Sequence, residues 1–187
     1  TDTDFKYAEK MKTAIKLFGT SILDGGRASV AVCPVMIDAS HPLYSVNDVF
    51  NAVMVKGNMV GTGMFYGSGA GKLPTGSAVV ADIIEAAQNL KKNVPMGWTD
   101  EKQAIESMDQ AQFRYFVRAA GSYRNKEQDV KNAFGQVEVI ELYGMDEFAF
   151  LTAQMAEGEF RKVAVSYDSR EQERSEYGIK QMIRAVL

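Results

Sequence analysis

Tyr66-Gly-Ser-Gly-Ala-Gly-Lys-Leu-Pro-Thr-Gly-Ser-Ala-Val-Val-Ala-Asp82 is a glycine-rich segment between two apolar runs. Three glycines alternate at Gly67, Gly69 and Gly71, and an apolar run from Val60 to Tyr66 precedes them. After them Val79, Val80, Ile83, Ile84, Ala87 and Leu90 recur at the helical period and predict one apolar stripe. Thr75 is the expected N-cap, Lys91 and Lys92 fall where the helix dipole is negative, and Asn93 and Pro95 are expected to stop the helix. The pattern is therefore strand, glycine bend, helix. Glycines allow close backbone approach, and a helix start offers N–H groups to an anion. The plainer alternative is a tight strand-to-helix turn that binds nothing.

Two named phosphate loops do not fit. A P-loop needs four residues before its Gly-Lys and then Ser or Thr; here three residues separate Gly67 from Gly71, and Leu73 follows Lys72. A dinucleotide fingerprint needs G-x-G-x-x-G, whereas this stretch reads G-x-G-x-G with no acidic residue closing a second strand.

Outward from the bend, the upstream residues predict a helix capped by Thr3 or Asp4 with Phe5, Ala8 and Met11 on one face. A strand from Ala14 to about Leu23, a hairpin turn at Asp24-Gly25-Gly26 and a strand from Arg27 to Ile37 follow. Pro34 marks an edge or a bulge in that second strand. Strands at Phe50–Val55 and Met59–Tyr66 lead into the bend. Residues 94–110 read as a linker, with a short helix expected after Thr99.

Downstream, a half-buried strand alternates Phe113, Tyr115 and Val117 against Arg114, Phe116 and Arg118. A polar helix (125–134), strands at 136–143 and 147–155, a helix (157–167), a charged loop (168–176) and a strand (179–186) complete the order βαββαβ, a ferredoxin-like split unit. Phe116, Met182 and Val186 are expected on the open face of its sheet, against a partner such as a second copy.

Composition bounds the function. The chain has 187 residues, 46% of them hydrophobic, and a net charge of -3. That supports a globular core and gives no basic excess for a nucleic-acid partner. The single Cys33 and single His41 leave no disulfide framework and no zinc site, and suit a reducing, cytoplasmic setting. A Ser-His-Asp triad would have to use His41, which has no nucleophile elbow to serve. No apolar run is long enough to span a membrane. The opening Thr-Asp-Thr-Asp, without Met, is expected of a piece of a longer protein.

Four features in order make residues 1–93 resemble the C-terminal part of the homoserine dehydrogenase catalytic region. They are Ala14-Ile-Lys-Leu17, Val30-Ala-Val-Cys-Pro-Val-Met-Ile37, Pro42-Leu-Tyr-Ser-Val46 leading to Phe50-Asn-Ala-Val53, and Gly69-Ala-Gly71 with Pro74-Thr75 and Ala78-Val-Val-Ala-Asp82. Residues 111–187 look like an ACT domain. The fold class so implied is α+β: the end of a mixed α/β catalytic region followed by a ferredoxin-like ACT-type domain. The resemblance implies an NAD- or NADP-dependent oxidoreductase linking homoserine and aspartate semialdehyde. It places the cofactor contact at Gly71, with Gly69 and Thr75 as neighbours by loop geometry. It places the catalytic residues, the substrate segment and the Rossmann domain upstream of this chain, with no metal site here. It further implies a homodimer and an amino-acid effector such as threonine. The stretch Ala119-Ala-Gly-Ser-Tyr-Arg-Asn125, however, lacks the acidic residue usual in ACT ligand loops, which is expected of a module that pairs subunits and binds no effector. An ACT-type sensing or pairing module without chemistry of its own is the alternative reading.

Overall fold

The computed structural model describes the chain apart from positions 94, 96, 99 and 174–177. It divides into two compact units, one made of Thr1–His41 with Gln103–Leu187 and the other of Pro42–Lys102. The expected division into 1–93 and 111–187 across a linker at 94–110 does not coincide with these units. The reason is a long-range pairing: the second strand of the chain joins the sheet formed by its last third.

In the first unit, α1 (Asp2–Lys10) leads into the hairpin β1 (Thr13–Asp24) and β2 (Arg27–Asp38). The helix is capped by Thr1, not by Thr3 or Asp4, because Asp4 turns inward and is buried. Gly25 and Gly26 both have positive φ, as a two-residue hairpin turn requires, and Asp24 pairs with Arg27. Beyond residue 102 come a 3-10 turn (Met108–Gln110), β5 (Gln112–Ala120), α3 (Tyr123–Phe134), β6 (Val137–Ile140), β7 (Glu147–Thr152), the short β8 (Met155–Ala156), α4 (Glu157–Glu173) and β9 (Ile179–Val186). The strands β3 (Phe50–Gly57) and β4 (Gly61–Ser68) and the helix α2 (Lys72–Gln88) belong to the second unit. Three expectations change here. No helix forms at 100–107, and Thr99 itself lies outside the described residues. The strand expected over 147–155 breaks into β7 and β8. The charged loop expected at 168–176 is helical through Glu173, its remainder lying outside the described residues.

The sheet order is β1-β2-β9-β5-β7-β6, with β8 pairing β5 at the side. Within it β9-β5-β7-β6 are antiparallel throughout, the order of a split βαβ pair. β2 joins this set in parallel to β9 at Val35–Ile37. Pro34 causes no register break against Leu17; it sits just before the residues at which β2 gains its second neighbour, so it behaves as an edge proline.

Both faces of β5 are covered, so the strand is buried rather than half-buried. Tyr115, Val117 and Ala119 pack with Phe134, Phe148, Phe150 and Phe160 beneath α3 and α4. Tyr115 and Phe160 stack with ring centroids 3.6 Å apart. On the opposite face Phe116, Leu151 and Ile183 pack with Tyr7 and Ala8 of α1 and Met36 of β2. This overturns the expectation that Phe116 faces outward. Phe116 pairs with Ile183 and lies under the Tyr7 ring at 5.8 Å, whereas Met182 pairs with Val117 and so points to the other face. The sequence alternation was correct, but α1 supplies a cover that local pattern does not reveal.

Two ionic clusters tie these layers together. Arg118 reaches Asp4 (2.9 Å) and Glu147 (3.0 Å), and Lys180 reaches the same Glu147 at 2.8 Å. On the other side Glu157, at the first position of α4, receives Arg184 at 2.7 Å and the Tyr115 hydroxyl at 2.9 Å. Arg184 also donates to Cys33 Sγ at 2.6 Å, so the lone thiol is part of this cluster.

Burial alone would raise the Glu157 carboxyl, but hydrogen bonds from Arg184, Arg161 and Tyr115 outweigh it and bring it from 4.5 down to about 2. Its stabilising contribution is therefore complete above pH 4.5 and is lost as pH falls towards 2. The contribution at stake is about 3 kcal/mol. Chemical denaturation of Glu157→Gln against the parent between pH 6 and pH 2 is expected to show a shallower pH dependence in the variant by about that amount. Parallel curves would contradict the assignment.

Candidate functional site

The second unit, residues 42–102, is small: the hairpin β3 (Phe50–Gly57) and β4 (Gly61–Ser68), the glycine bend, and α2 (Lys72–Gln88). The register runs from Phe50↔Ser68 to Gly57↔Gly61. It places Asn51, Val53 and Val55 on one face and Phe50, Ala52 and Met54 on the other, as the alternation predicts. Phe50 and Tyr66 stack at 5.0 Å across the strands.

The bend is built from two different uses of glycine. Gly71 has φ 113° and ψ 162°, a region that side-chain-bearing residues rarely enter, and it is the N-cap of α2. Gly69 needs space rather than torsional freedom. A Cβ there would run into the Asn51 amide, meeting its Nδ2 and lying only 2.8 Å from Cγ. Gly69 N–H donates to the Val49 carbonyl at 3.3 Å, which carries the hairpin ladder one step into the bend. Residues 67–71 are all exposed, and a Cβ at Gly67 would meet nothing within 4 Å.

Thr75 is not the N-cap. The helix begins three residues earlier, because Pro74 occupies its first turn, where a missing N–H costs nothing. Thr75 is exposed in the second turn, and its N–H donates to the Gly71 carbonyl at 3.2 Å. The structure thus brings Gly69 and Gly71 together in one bend and sets Thr75 one helical turn beyond. The C-terminal end also differs from expectation. The helix stops at Gln88 with Asn89 as C-cap, whose side chain donates to the Glu85 carbonyl at 3.0 Å, and Lys91 has left the helix with φ 64°.

None of the residues of α2 is buried, and Val79, Val80, Ile83 and Ile84 are each more than half exposed. The hairpin leaves Val53 and Phe65 open as well. An apolar stripe of this kind on an otherwise regular helix is a surface made to be covered. The sequence reading missed Asn51 as a neighbour of the bend. The signal was the register itself, since a strand position opposite Gly67 has no side chain facing it.

No group of three or more His, Cys, Asp or Glu residues suited to hold a metal ion occurs among the described residues. No helix among them is long and apolar enough to cross a membrane.

A family model described as Homoserine dehydrogenase matches residues 1–84. The homoserine dehydrogenase of Bacillus subtilis is 39% identical over 94 residues, covering 50% of this chain and 22% of that protein. That of Neisseria gonorrhoeae is 36% identical over 145 residues, covering 73% of this chain and 32% of its own length. Among solved structures, a homoserine dehydrogenase from Thiobacillus denitrificans has a TM-score of 0.76 at 23% identity, over 100% of this chain and 45% of that one. One from S. aureus has a TM-score of 0.66 at 28% identity, over 99% and 45%. The Thiobacillus likeness speaks to the fold alone. The chain spans 22% to 32% of these two curated relatives and 45% of the two solved chains.

Proposed function

We propose, from a chain that belongs to the homoserine dehydrogenase family over residues 1–84, that the glycine bend and the first turn of α2 form one wall of a nicotinamide-cofactor site. The observation that carries this reading is the Gly71 backbone, held at φ 113° on the exposed N-terminus of a regular helix. The residues fit such a group. The bend presents backbone and small side chains, its outer side is open at Gly67, and a Cβ at Gly69 would displace a neighbour. Gly71 is assigned the cofactor contact, with Gly69 and Thr75 beside it. A bound nicotinamide, from NAD or NADP, supplies hydride acceptance and donation. This chain's part is to hold the cofactor and exclude water from one side, using the apolar stripe of α2 to seat the segment that completes the pocket.

In the whole protein this corresponds to interconversion of L-homoserine and L-aspartate 4-semialdehyde, a step of threonine and methionine biosynthesis. The catalytic groups and the substrate-binding segment are assigned to residues outside this chain. We place the protein in the cytoplasm as a homodimer.

The test is Gly71→Val in the full-length protein, read by fluorescence titration of the cofactor and by thermal unfolding. Cofactor affinity is expected to fall by at least about tenfold, since a misplaced binding element is costly, while the protein still folds with its unfolding midpoint lowered only by the local strain at residue 71, about 1–3 kcal/mol. An unchanged affinity, or a protein that no longer folds, favours the plain-turn reading.

The sheet order β9-β5-β7-β6 supports a second role for residues 111–187, as an ACT-type module that pairs subunits or senses an amino acid. Gly121 enters its first loop with φ 81°, and its N–H donates to the Asp146 carbonyl at 3.1 Å. Calorimetric titration with threonine separates the two roles: heat with saturation indicates an effector site, and a flat trace indicates pairing alone.

A further inference from the structure

We infer that Asn51 is a positioning residue for the glycine bend: its carboxamide props the Gly69 backbone and so sets where Gly71 meets the cofactor. This rests on the reading of the bend as a cofactor wall. The three heavy atoms nearest to where a Gly69 Cβ would stand all belong to Asn51: Nδ2, Cγ at 2.8 Å and Cβ at 3.2 Å. The strand register explains why. Asn51 pairs with Gly67, and because side chains alternate, Gly69 continues the same face two residues on. With no side chain at 67, the Asn51 amide leans along the strand onto Gly69.

The arrangement holds the bend between two anchors. One is the hairpin ladder, which ends at Phe50↔Ser68 and is extended by the Gly69 N–H bond to Val49. The other is α2, whose first bond runs from Thr75 N–H to the Gly71 carbonyl. Between those anchors the Asn51 amide is the side chain packed nearest to Gly69. Asn51 is itself exposed. Its contact therefore adds little to the stability of the unit, and its consequence lies in the position of the bend.

The prediction is a coupling between Asn51 and Gly69. In the full-length protein, Asn51→Ala removes the prop and Gly69→Ala pushes the amide aside, so each is expected to weaken the cofactor dissociation constant by about tenfold. The double variant is expected to stay near tenfold, because both changes abolish one contact, where independent sites would reach about a hundredfold. The readouts are fluorescence titration with NAD(P)H and thermal unfolding, the midpoint of Asn51→Ala being expected within about 2 °C of the parent. The KM for homoserine is expected to change less than the cofactor constant. Parent-like cofactor binding by Asn51→Ala, or a double variant near a hundredfold, would overturn the inference. If Asn51→Ala binds normally while Gly71→Val does not, only this inference fails. If both bind normally, the cofactor reading of the bend fails with it.

Discussion

Replacing Arg118 with methionine is expected to destabilise the first unit by about 3–5 kcal/mol, measured by urea unfolding. Arg118 lies on β5, faces α1 and is buried together with both its acidic partners, Asp4 and Glu147. It bonds Asp4 through Nε at 2.9 Å, Glu147 through one terminal nitrogen at 3.0 and 3.1 Å, and the Thr1 hydroxyl through the other at 3.2 Å. Methionine fills similar space, so packing alone predicts a small effect. The large cost comes from removing the guanidinium that bridges two buried carboxylates: Asp4 keeps only the terminal ammonium, the Thr1 hydroxyl and the Gln181 amide, and Glu147 keeps Lys180. Neutralising the partners as well, with Asp4→Asn and Glu147→Gln added, is expected to recover a substantial part of the loss. A single-variant cost below about 1 kcal/mol would mean that the cluster is as weak as an exposed pair.

The second large effect concerns activity. The 187-residue chain purified alone is expected to show no homoserine oxidation above background with either NAD or NADP. Holding two reactants in a productive arrangement contributes about 7–11 kcal/mol to such a step, and one wall of a pocket does not provide it. The whole protein is expected to be active under the same conditions. Robust turnover by the isolated chain would show that the reactive groups lie within these residues and would displace the proposed division of labour.

Local pattern carried much of this structure. The alternation at 113–118 and at 50–55 and the turn at Gly25-Gly26 appear as read, and so does the order of elements after Gln112 apart from the break between β7 and β8 and the longer α4. What it could not carry was pairing across long separations. Nothing in residues 27–38 announces that Val35–Ile37 lie parallel to Arg184–Val186, so local pattern draws the module boundary along the chain rather than through the sheet. The same limit concealed Tyr7 over Phe116. The helix start differs from expectation for a local reason: Thr75 is a better cap by residue type, but Pro74 fits the first turn and Gly71 already supplies the reversal. At the bend, three glycines look equivalent in sequence, while the structure gives Gly71 a torsional role and Gly69 a steric one that depends on Asn51.

Whether the glycine bend touches a nicotinamide cofactor is measured directly by a crystal structure of the full-length protein with NAD or NADP bound. Gly71 backbone atoms are expected within about 4 Å of the dinucleotide, an ordinary contact distance. A cofactor bound elsewhere, with the bend facing solvent or another part of the polypeptide, would contradict it.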